Sequence, residues 1–236
     1  MTGPFHPTAH LYDVVYEFLD YEASADAVAA LVEERRPGAS SLLDVACGTG
    51  RHLDLLGGRF EHCEGVDIDP AMLDVARRRV PGVPLHVGDM TTLDLGRRFD
   101  VVICMFSSIG YAHTSERLGA AVGAMAAHLE AGGVLVVEPW LSPEMIEEPL
   151  VRMQTAEAPG MVVARSSRMR VEGTVSHMEF AYLVTTPDGS ETFTEEHVMG
   201  LFTPARYREA LEGARLASEF LTPGPLGRGL AVGVRR

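Results

Sequence analysis

The sequence predicts an α/β fold: a doubly wound, Rossmann-like, mostly parallel seven-stranded sheet with an inserted antiparallel β-sheet lid. Three observations carry this. Short apolar runs alternate with helix-like segments from Leu42 onward, the first run leads straight into a glycine turn, and after Pro139 helix-like spacing gives way to long stretches at strand spacing. The 236 residues, 46% hydrophobic and 22% charged, can bury one sizeable core. Residues 1–139 and 203–236 are expected to form that core, and 140–202 the lid.

The runs Leu42–Ala46, Cys63–Val66, Leu85–Val87, Val101–Met105 and Val134–Glu138 have the length and composition of strands buried on both faces. Between them lie helical segments at His52–Gly57, at Pro70–Arg79 with proline in its first turn, and at Glu116–Glu130, closed by Gly132 and Gly133. Crossover helices between such strands make the sheet parallel. Val162–Val171, Val175–Thr185 and Thr192–Phe202, separated by Gly173 and the Pro187-Asp188-Gly189 turn, read as a three-stranded antiparallel meander. Arg168, Arg170, His177, Glu179, Tyr182, Glu195, Glu196 and His197 fall on it, and a two-faced sheet sends some of these to solvent and others toward a cleft. The helix Pro204–Glu212 and the runs Leu216–Leu221 and Leu230–Val234 return to the main sheet.

All 20 basic residues are arginine. The absence of lysine excludes a pyridoxal phosphate aldimine, a Schiff-base aldolase and a Walker-type phosphate loop. A formal charge of −13 argues against nucleic acid as a partner. No stretch approaches the roughly 18 apolar residues of a membrane span, and Met1–Asp20 lacks the basic start and apolar run of a signal peptide, so the expectation is a cytoplasmic protein with no membrane partner. Cys47, Cys63 and Cys104 show no metal or disulfide spacing and read as buried small hydrophobes. Of nine scattered histidines only His6 and His10 resemble a ligand pair, so no metal is expected.

The chemistry is concentrated in Leu42-Leu43-Asp44-Val45-Ala46-Cys47-Gly48-Thr49-Gly50, a buried strand running into a glycine turn and then a helix. Gly48 and Gly50 let backbone approach a ligand closely. Asp67 ends the next strand, where a carboxylate can accept both hydroxyls of an unphosphorylated ribose, and Asp89 follows the third strand in Val87-Gly88-Asp89-Met90. The nicotinamide fingerprint G-x-G-x-x-G fails, because Gly50 is followed by Arg51, His52 and Leu53. Asp44 before the turn suits a cationic group better than a pyrophosphate, and S-adenosylmethionine carries an amino group and a sulfonium.

With these residues the chain resembles the class I S-adenosylmethionine-dependent methyltransferases, whose first motif Asp44–Gly50 matches fully. Cys104-Met105-Phe106-Ser107-Ser108-Ile109-Gly110, Val137-Glu138-Pro139-Trp140, Leu201-Phe202-Thr203 and Gly224-Pro225-Leu226-Gly227-Arg228-Gly229-Leu230 are similar to the nucleotide-linked aminosugar N-methyltransferases of macrolide biosynthesis, a likeness running from Ser41 to Val234. The resemblance implies transfer of methyl groups, usually two, to the amine of a deoxythymidine-diphosphate-linked 3-amino sugar. It leaves the oligomeric state open, a homodimer being one option. The chain departs from the pattern at Tyr111, where these enzymes commonly carry histidine, and at Tyr16–Tyr21, which replaces a longer segment containing glycine and lysine.

What the resemblance implies for the cofactor is Asp44 and the backbone of Ala46, Gly48 and Gly50 at the aminocarboxypropyl end, Asp67 at the ribose, and Asp89 with Met90 at the adenine. Ile68 and Met72 would lie on the ring faces and Met105 beside them. Tyr12 and Tyr21 either close over the cofactor or are ordinary helical contacts. Toward the acceptor it implies Ser107, Ser108, Trp140 and Arg228, the last on a diphosphate through bidentate contacts. Arg165, Arg168 and Arg170 are weaker phosphate candidates, since alternating arginines on a strand more often form a solvated face. Methyl transfer needs a neutral amine, and an alkylammonium has a pKa of about 10, so desolvation or an acceptor must favour the free base. Tyr111 is the leading catalytic candidate, as a neutral phenol that orients the amine; His113, which could equally be an exposed loop histidine, and Glu138 are the others. The alternatives are a methyltransferase acting on nitrogen, oxygen or carbon of another small natural product, a nicotinamide oxidoreductase, disfavoured by the missing third glycine, and a non-catalytic S-adenosylmethionine-binding regulator, disfavoured by the lid.

Overall fold

The computed structural model describes residues 8–146 and 150–236. The main sheet has seven strands: β1 (Ser41–Val45), β2 (His62–Asp67), β3 (Leu85–Val87), β4 (Phe99–Cys104), β5 (Leu129–Val137), β10 (Leu216–Leu221) and β11 (Leu230–Arg235). They lie side by side in the order β10-β11-β5-β4-β1-β2-β3. β11 runs antiparallel to both its neighbours and the other pairings are parallel. The chain reverses direction across the sheet at β1, whose neighbours are β4 and β2, and the crevice beyond the carboxyl ends of these strands is where open α/β sheets bind ligands.

Helices cover both faces. α2 (Tyr21–Arg35), α3 (Arg51–Leu56) and α4 (Pro70–Arg79) lie on one side, and α5 (Ser115–Ala127) with α6 (Pro204–Gly213) on the other. Two buried layers result, one around Leu42, Val101 and Val134, the other around Leu43, Val102 and Leu135, as alternation along a strand buried on both faces requires. α2 had not been expected from sequence. It carries its buried residues at helical spacing (Tyr21, Ser24, Ala25, Val28, Leu31, Val32) and is capped by the Asp20 carboxylate, which accepts from the Ala23 amide.

Two expectations need correction. The third helix does not reach Glu130: α5 ends at Ala127, and β5 begins at Leu129, paired with Phe99, so Gly132 and Gly133 lie inside the strand. His128 fixes that boundary, its Nδ1 donating to the Ala124 carbonyl at 2.8 Å while Nε2 accepts from the Leu95 amide at 2.9 Å. The meander has four strands and not three. β6 (Leu150–Ala158) precedes β7 (Met161–Glu172), β8 (Val175–Thr186) and β9 (Gly189–Gly200), each antiparallel to the next.

This second sheet is inserted between β5 and α6 and turns two different faces outward and inward. Arg168 pairs with Glu179 through both nitrogens of its fork, and Arg170 lies near Glu172 and Glu196, all on the solvated side. Arg165, Tyr182, Glu195 and His197 are buried on the opposite side. Against that buried side packs α1 (Tyr12–Val15), where Leu11 and Val15 join Val163, Phe180, Tyr182 and Val184 in a third apolar cluster. The same short segment holds the main domain through Asp13, which accepts from Thr49 Oγ1 at 2.8 Å and pairs with Arg51 and Arg79. Residues 11–15 therefore strap the two sheets together. Among the described residues no helix is long and apolar enough to cross a membrane.

Candidate active site

Strand β1 ends at Val45, and the chain then turns through Ala46, Gly48 and Gly50, all at positive φ (61°, 55° and 78°), before α3 begins. Gly48 and Gly50 take such angles without penalty, Ala46 at a cost, and the three alternate positions open the backbone toward the crevice. Gly48 faces the space directly; a Cβ there would meet nothing nearer than Met72 Cε at 4.0 Å. Gly50 has another task. A Cβ on it would come within 3.2 Å of Ala76 Cβ, so its small size lets α3 close against α4.

Two adjoining cavities open at this edge of the sheet. The first, of about 270 Å³, is lined by Tyr12, Tyr21, Asp44, Ala46, Gly48, Asp67, Ile68, Met72, Asp89, Met90 and Met105, all expected from sequence. Of the cofactor set only Gly50 is missing from its wall. The second, of about 450 Å³, lies between the main domain and the inserted sheet and takes in Ser107, Ser108, Trp140 and Arg228. Tyr12, Phe106, Ser108 and Tyr111 belong to both and form the partition between them.

Asp67 is held at the floor of the first cavity, its Oδ2 accepting from the Gly48 amide and its Oδ1 from the Asp69 amide, both at 2.8 Å. Burial outweighs these donors and lifts its pKa to about 6. Asp44 lies deeper. Its Oδ2 is buried without a hydrogen-bond partner, and burial, reinforced by the Asp67 charge, raises its pKa well above the usual carboxylate range. An unsatisfied buried carboxylate oxygen beside an open cavity is a receptor for an ammonium or another donor. Asp89 is more open; although burial pulls the other way, the Thr91 amide and hydroxyl and the Arg117 charge hold its carboxyl below the ordinary value. Turn, floor and rim thus fit the aminocarboxypropyl, ribose and adenine parts of S-adenosylmethionine, respectively.

Glu138 is placed differently from its expected role. It lines neither cavity: Oε2 accepts from the Phe106 amide at 2.7 Å, behind the partition, and burial raises its pKa. The bond supports an unusual stretch, since Phe106 and Ser107 both have positive φ (54° and 64°). Ser107 Oγ donates to the Pro139 carbonyl and accepts from Arg228 Nη1, each at 2.6 Å. The Arg228 guanidinium lies 4.5 Å from the Trp140 ring centre, and Trp140 Nε1 donates to Ser176 Oγ on β8. His113 borders the first cavity only.

Sequence reasoning missed several cavity residues. Arg51 lines the first cavity with its guanidinium 5.0 Å from the Tyr21 ring centre, and Arg117 closes the rim at Asp89. In the second it missed Arg152; Arg165, a weaker phosphate candidate from sequence, lies between Tyr16 and Phe180 at 4.8 and 4.7 Å, and His197, expected on the meander but given no role, reaches Tyr111. The cysteines are free, Cys47 and Cys104 buried and Cys63 partly so. Among the described residues no cluster of ligating side chains could hold a metal; His6, half of the sequence's nearest ligand pair, lies outside them, and His10 is exposed.

A methyltransferase domain family matches residues 42–133. Similarity extends well past it: a Streptomyces venezuelae dTDP-3-amino-3,4,6-trideoxy-alpha-D-glucopyranose N,N-dimethyltransferase is 46% identical over 96% of this chain and 97% of its own. The chain belongs to the deoxyaminosugar N,N-dimethyltransferases. A Streptomyces fradiae dTDP-3-amino-3,6-dideoxy-alpha-D-glucopyranose N,N-dimethyltransferase is likewise 46% identical, over 96% of this chain and 90% of its own. Among solved structures the methyltransferase resembles DesVI of Streptomyces venezuelae, with TM-score 0.92 and 45% identity over 97% of this chain and 98% of that one. It also resembles the S-adenosylmethionine-bound amino pentose methyltransferase of calicheamicin biosynthesis from Micromonospora echinaspora, with TM-score 0.88 and 41% identity over 96% and 97%. The methyltransferase is an S-adenosylmethionine-dependent enzyme, as its cavity chemistry anticipates.

Proposed function

We propose that this methyltransferase acts on the amine of a nucleotide-linked amino deoxysugar, adding two methyl groups in succession in the cytoplasm. The observation that carries the reading is the shared partition: a cofactor-sized cavity and a larger one lined with arginine and aromatic side chains meet at Tyr12, Phe106, Ser108 and Tyr111. Two of the similar enzymes are named for 3-amino sugars and a third, from Saccharopolyspora spinosa, for a 4-amino sugar, each of them a dTDP-linked sugar. We assign the acceptor to the larger cavity, under the inserted sheet as a lid.

S-adenosylmethionine, when bound, supplies an electrophilic methyl group on a sulfonium. In this reading Asp44 takes its ammonium, Asp67 its ribose hydroxyls and Asp89 with Met90 its adenine, between Ile68 and Met72. Tyr12, Tyr21 and Met105 exclude water around the methyl group. Arg228, held by Ser107 and stacked on Trp140, meets the diphosphate; its charge is lowered in pKa by burial but retained, as a guanidinium always is. Tyr111 orients the amine, with its pKa driven far up by burial so that the phenol stays neutral. The reaction is then largely one of positioning in a water-poor space. Mass spectrometry after incubation with S-adenosylmethionine and a panel of dTDP-linked 3-amino, 4-amino and hydroxy sugars tests this. Gains of about 14 and then about 28 mass units on an amino sugar are expected; methylation of hydroxy sugars alone would overturn it.

A further inference from the structure

The hydroxyl of Tyr111 is 2.7 Å from His197 Nδ1, and His197 Nε2 is 3.5 Å from Glu195 Oε2. Glu195 Oε1 accepts in turn from the Thr8 hydroxyl. His197 and Glu195 are two residues apart on β9 and so share the face that meets the main domain. Both are almost wholly buried, His197 at 2% and Glu195 at 7% exposure. A carboxylate is rarely buried without purpose, and here it points along an imidazole toward a tyrosine in the wall shared by the two cavities.

The order of the three fixes the protons. A Glu195 carboxylate can only accept, which puts the hydrogen of a neutral His197 ring on Nε2 and leaves Nδ1 as an acceptor. Tyr111 must then donate its hydroxyl hydrogen to Nδ1, which turns the lone pairs of its oxygen toward the cavity. We propose that His197 and Glu195 are positioning residues that make Tyr111 an acceptor for the substrate amine and relay the amine proton to the His197 ring.

The inference rests on the reading of the acceptor as an amine. The bound ammonium gives one proton to the Tyr111 oxygen as the Tyr111 hydroxyl proton passes to His197 Nδ1, and the nitrogen keeps the pair of the broken N–H bond. That pair forms the N–C bond while the C–S pair returns to sulfur, leaving a neutral thioether. The imidazolium is paired with Glu195, and the proton leaves to solvent after the products. Phenolate never accumulates, in keeping with the high Tyr111 pKa, to which burial contributes most, followed by Tyr16, Glu195, Asp67 and Tyr182. Around the histidine, Phe180 on β8 presents an edge at 5.3 Å, and Arg165 on β7, stacked on Phe180, is the nearby cation. Among the described residues, Tyr182 on β8, Tyr16 from the N-terminal segment and Asp67 across the partition act on Tyr111, and Thr8 on Glu195.

Three measurements test the relay. His197→Asn keeps an acceptor near the Nδ1 position but cannot take up a proton. With an amino sugar the reading accepts, its kcat should fall about tenfold to hundredfold near neutral pH and recover as pH rises toward about 10, where solution supplies the free amine. Cofactor affinity and melting temperature should hold. Tyr111→Phe combined with His197→Asn should lose no more than the worse single variant, because the two act as one unit. Nitrogen NMR of the parent, which needs no acceptor, should show His197 protonated at Nε2, with the signal moving in Glu195→Gln. A loss uniform across pH, additive losses, or protonation at Nδ1 would overturn the relay. A parent that methylates no amino sugar yet shows the Nε2 tautomer would instead refute the acceptor reading.

Discussion

Removing the Asp67 carboxylate separates cofactor affinity from folding stability, and the structure sets both magnitudes. In Asp67→Ala two ribose hydroxyls lose a charged acceptor, and bonds to charged groups are worth about 1.5–3 kcal/mol each. Part of that is offset because the carboxylate already suffers in its buried position, as its pKa of about 6 against 3.8 records. A net loss of about 3 kcal/mol weakens S-adenosylmethionine binding roughly a hundredfold. Folding behaves otherwise. A carboxyl whose pKa is raised on folding disfavours the native state fully above about 6, by about 3 kcal/mol for this shift, and not at all below 3.8. Alanine relieves that cost but strands the Gly48 and Asp69 amides, at about 1–3 kcal/mol each, so the melting temperature should barely move at neutral pH. The pH dependence has opposite signs for the two properties. As pH falls from about 6 toward 4, this residue's contribution to apoprotein stability grows, while cofactor affinity drops by up to about tenfold per unit because the ionised form is the acceptor. Asp67→Asn should abolish this slope at low affinity. Titration calorimetry and thermal melts between about pH 5 and pH 8 decide the matter. Affinity of the alanine variant within threefold of the parent, or a flat parent profile, would refute the assignment of the ribose to Asp67.

Arg228→Ala should lower kcat/KM for the nucleotide sugar about tenfold to hundredfold through KM, with cofactor affinity unchanged, and Arg228→Lys should restore only part; identical kinetics would point to an acceptor without phosphate. Tyr111→Phe should cost about tenfold to hundredfold in kcat, roughly 1–3 kcal/mol for one lost hydrogen bond. A loss beyond about ten-thousandfold in a folded, cofactor-binding variant would contradict an orienting role. Gly50→Ala should lower stability by about 1–3 kcal/mol, from φ of 78° and the approach to Ala76, yet keep affinity within a few fold. Weakened binding with an unchanged melting temperature would show the residue to be part of the cavity after all.

How far the sequence could be read depended on whether each signal was local. The five strands of the first half and the turn from Asp44 to Gly50 were legible because a parallel strand is a continuous apolar run and its turn follows at once, but the expected burial on both faces fails at β3, which lies at the edge of the sheet with Val87 exposed. α2 was not, although Tyr21, Val28, Leu31 and Val32 have helical spacing; Ser24 and Ala25 complete its buried face with side chains too small to stand out. β6 escaped because Val151 and Met153 are exposed while Gln154 turns toward α1, which scrambles the alternation. Of the site, the residues at strand ends were readable in advance. Glu138 was not, because a carboxylate at a strand end can point into the cavity or behind its wall. The relay residues on β9 share a face by parity, but which face meets Tyr111, 86 positions earlier, is decided by how the inserted sheet docks.

The turn at Phe106 and Ser107 sets stability against activity in this enzyme. Two successive side-chain-bearing residues at positive φ cost about 1–3 kcal/mol each, and Glu138 is spent beneath them as a prop. Yet Phe106 forms part of the partition, and Ser107 anchors the arginine of the larger cavity. Selection for heat resistance would find easy gains here, glycine or asparagine at Ser107 foremost, and each gain would loosen the guanidinium from its support. Hardening the catalyst should therefore begin at the solvated face of the inserted sheet, at pairs such as Arg170 and Glu172, which line neither cavity; Arg168 on the same strand borders the larger one and is better left alone.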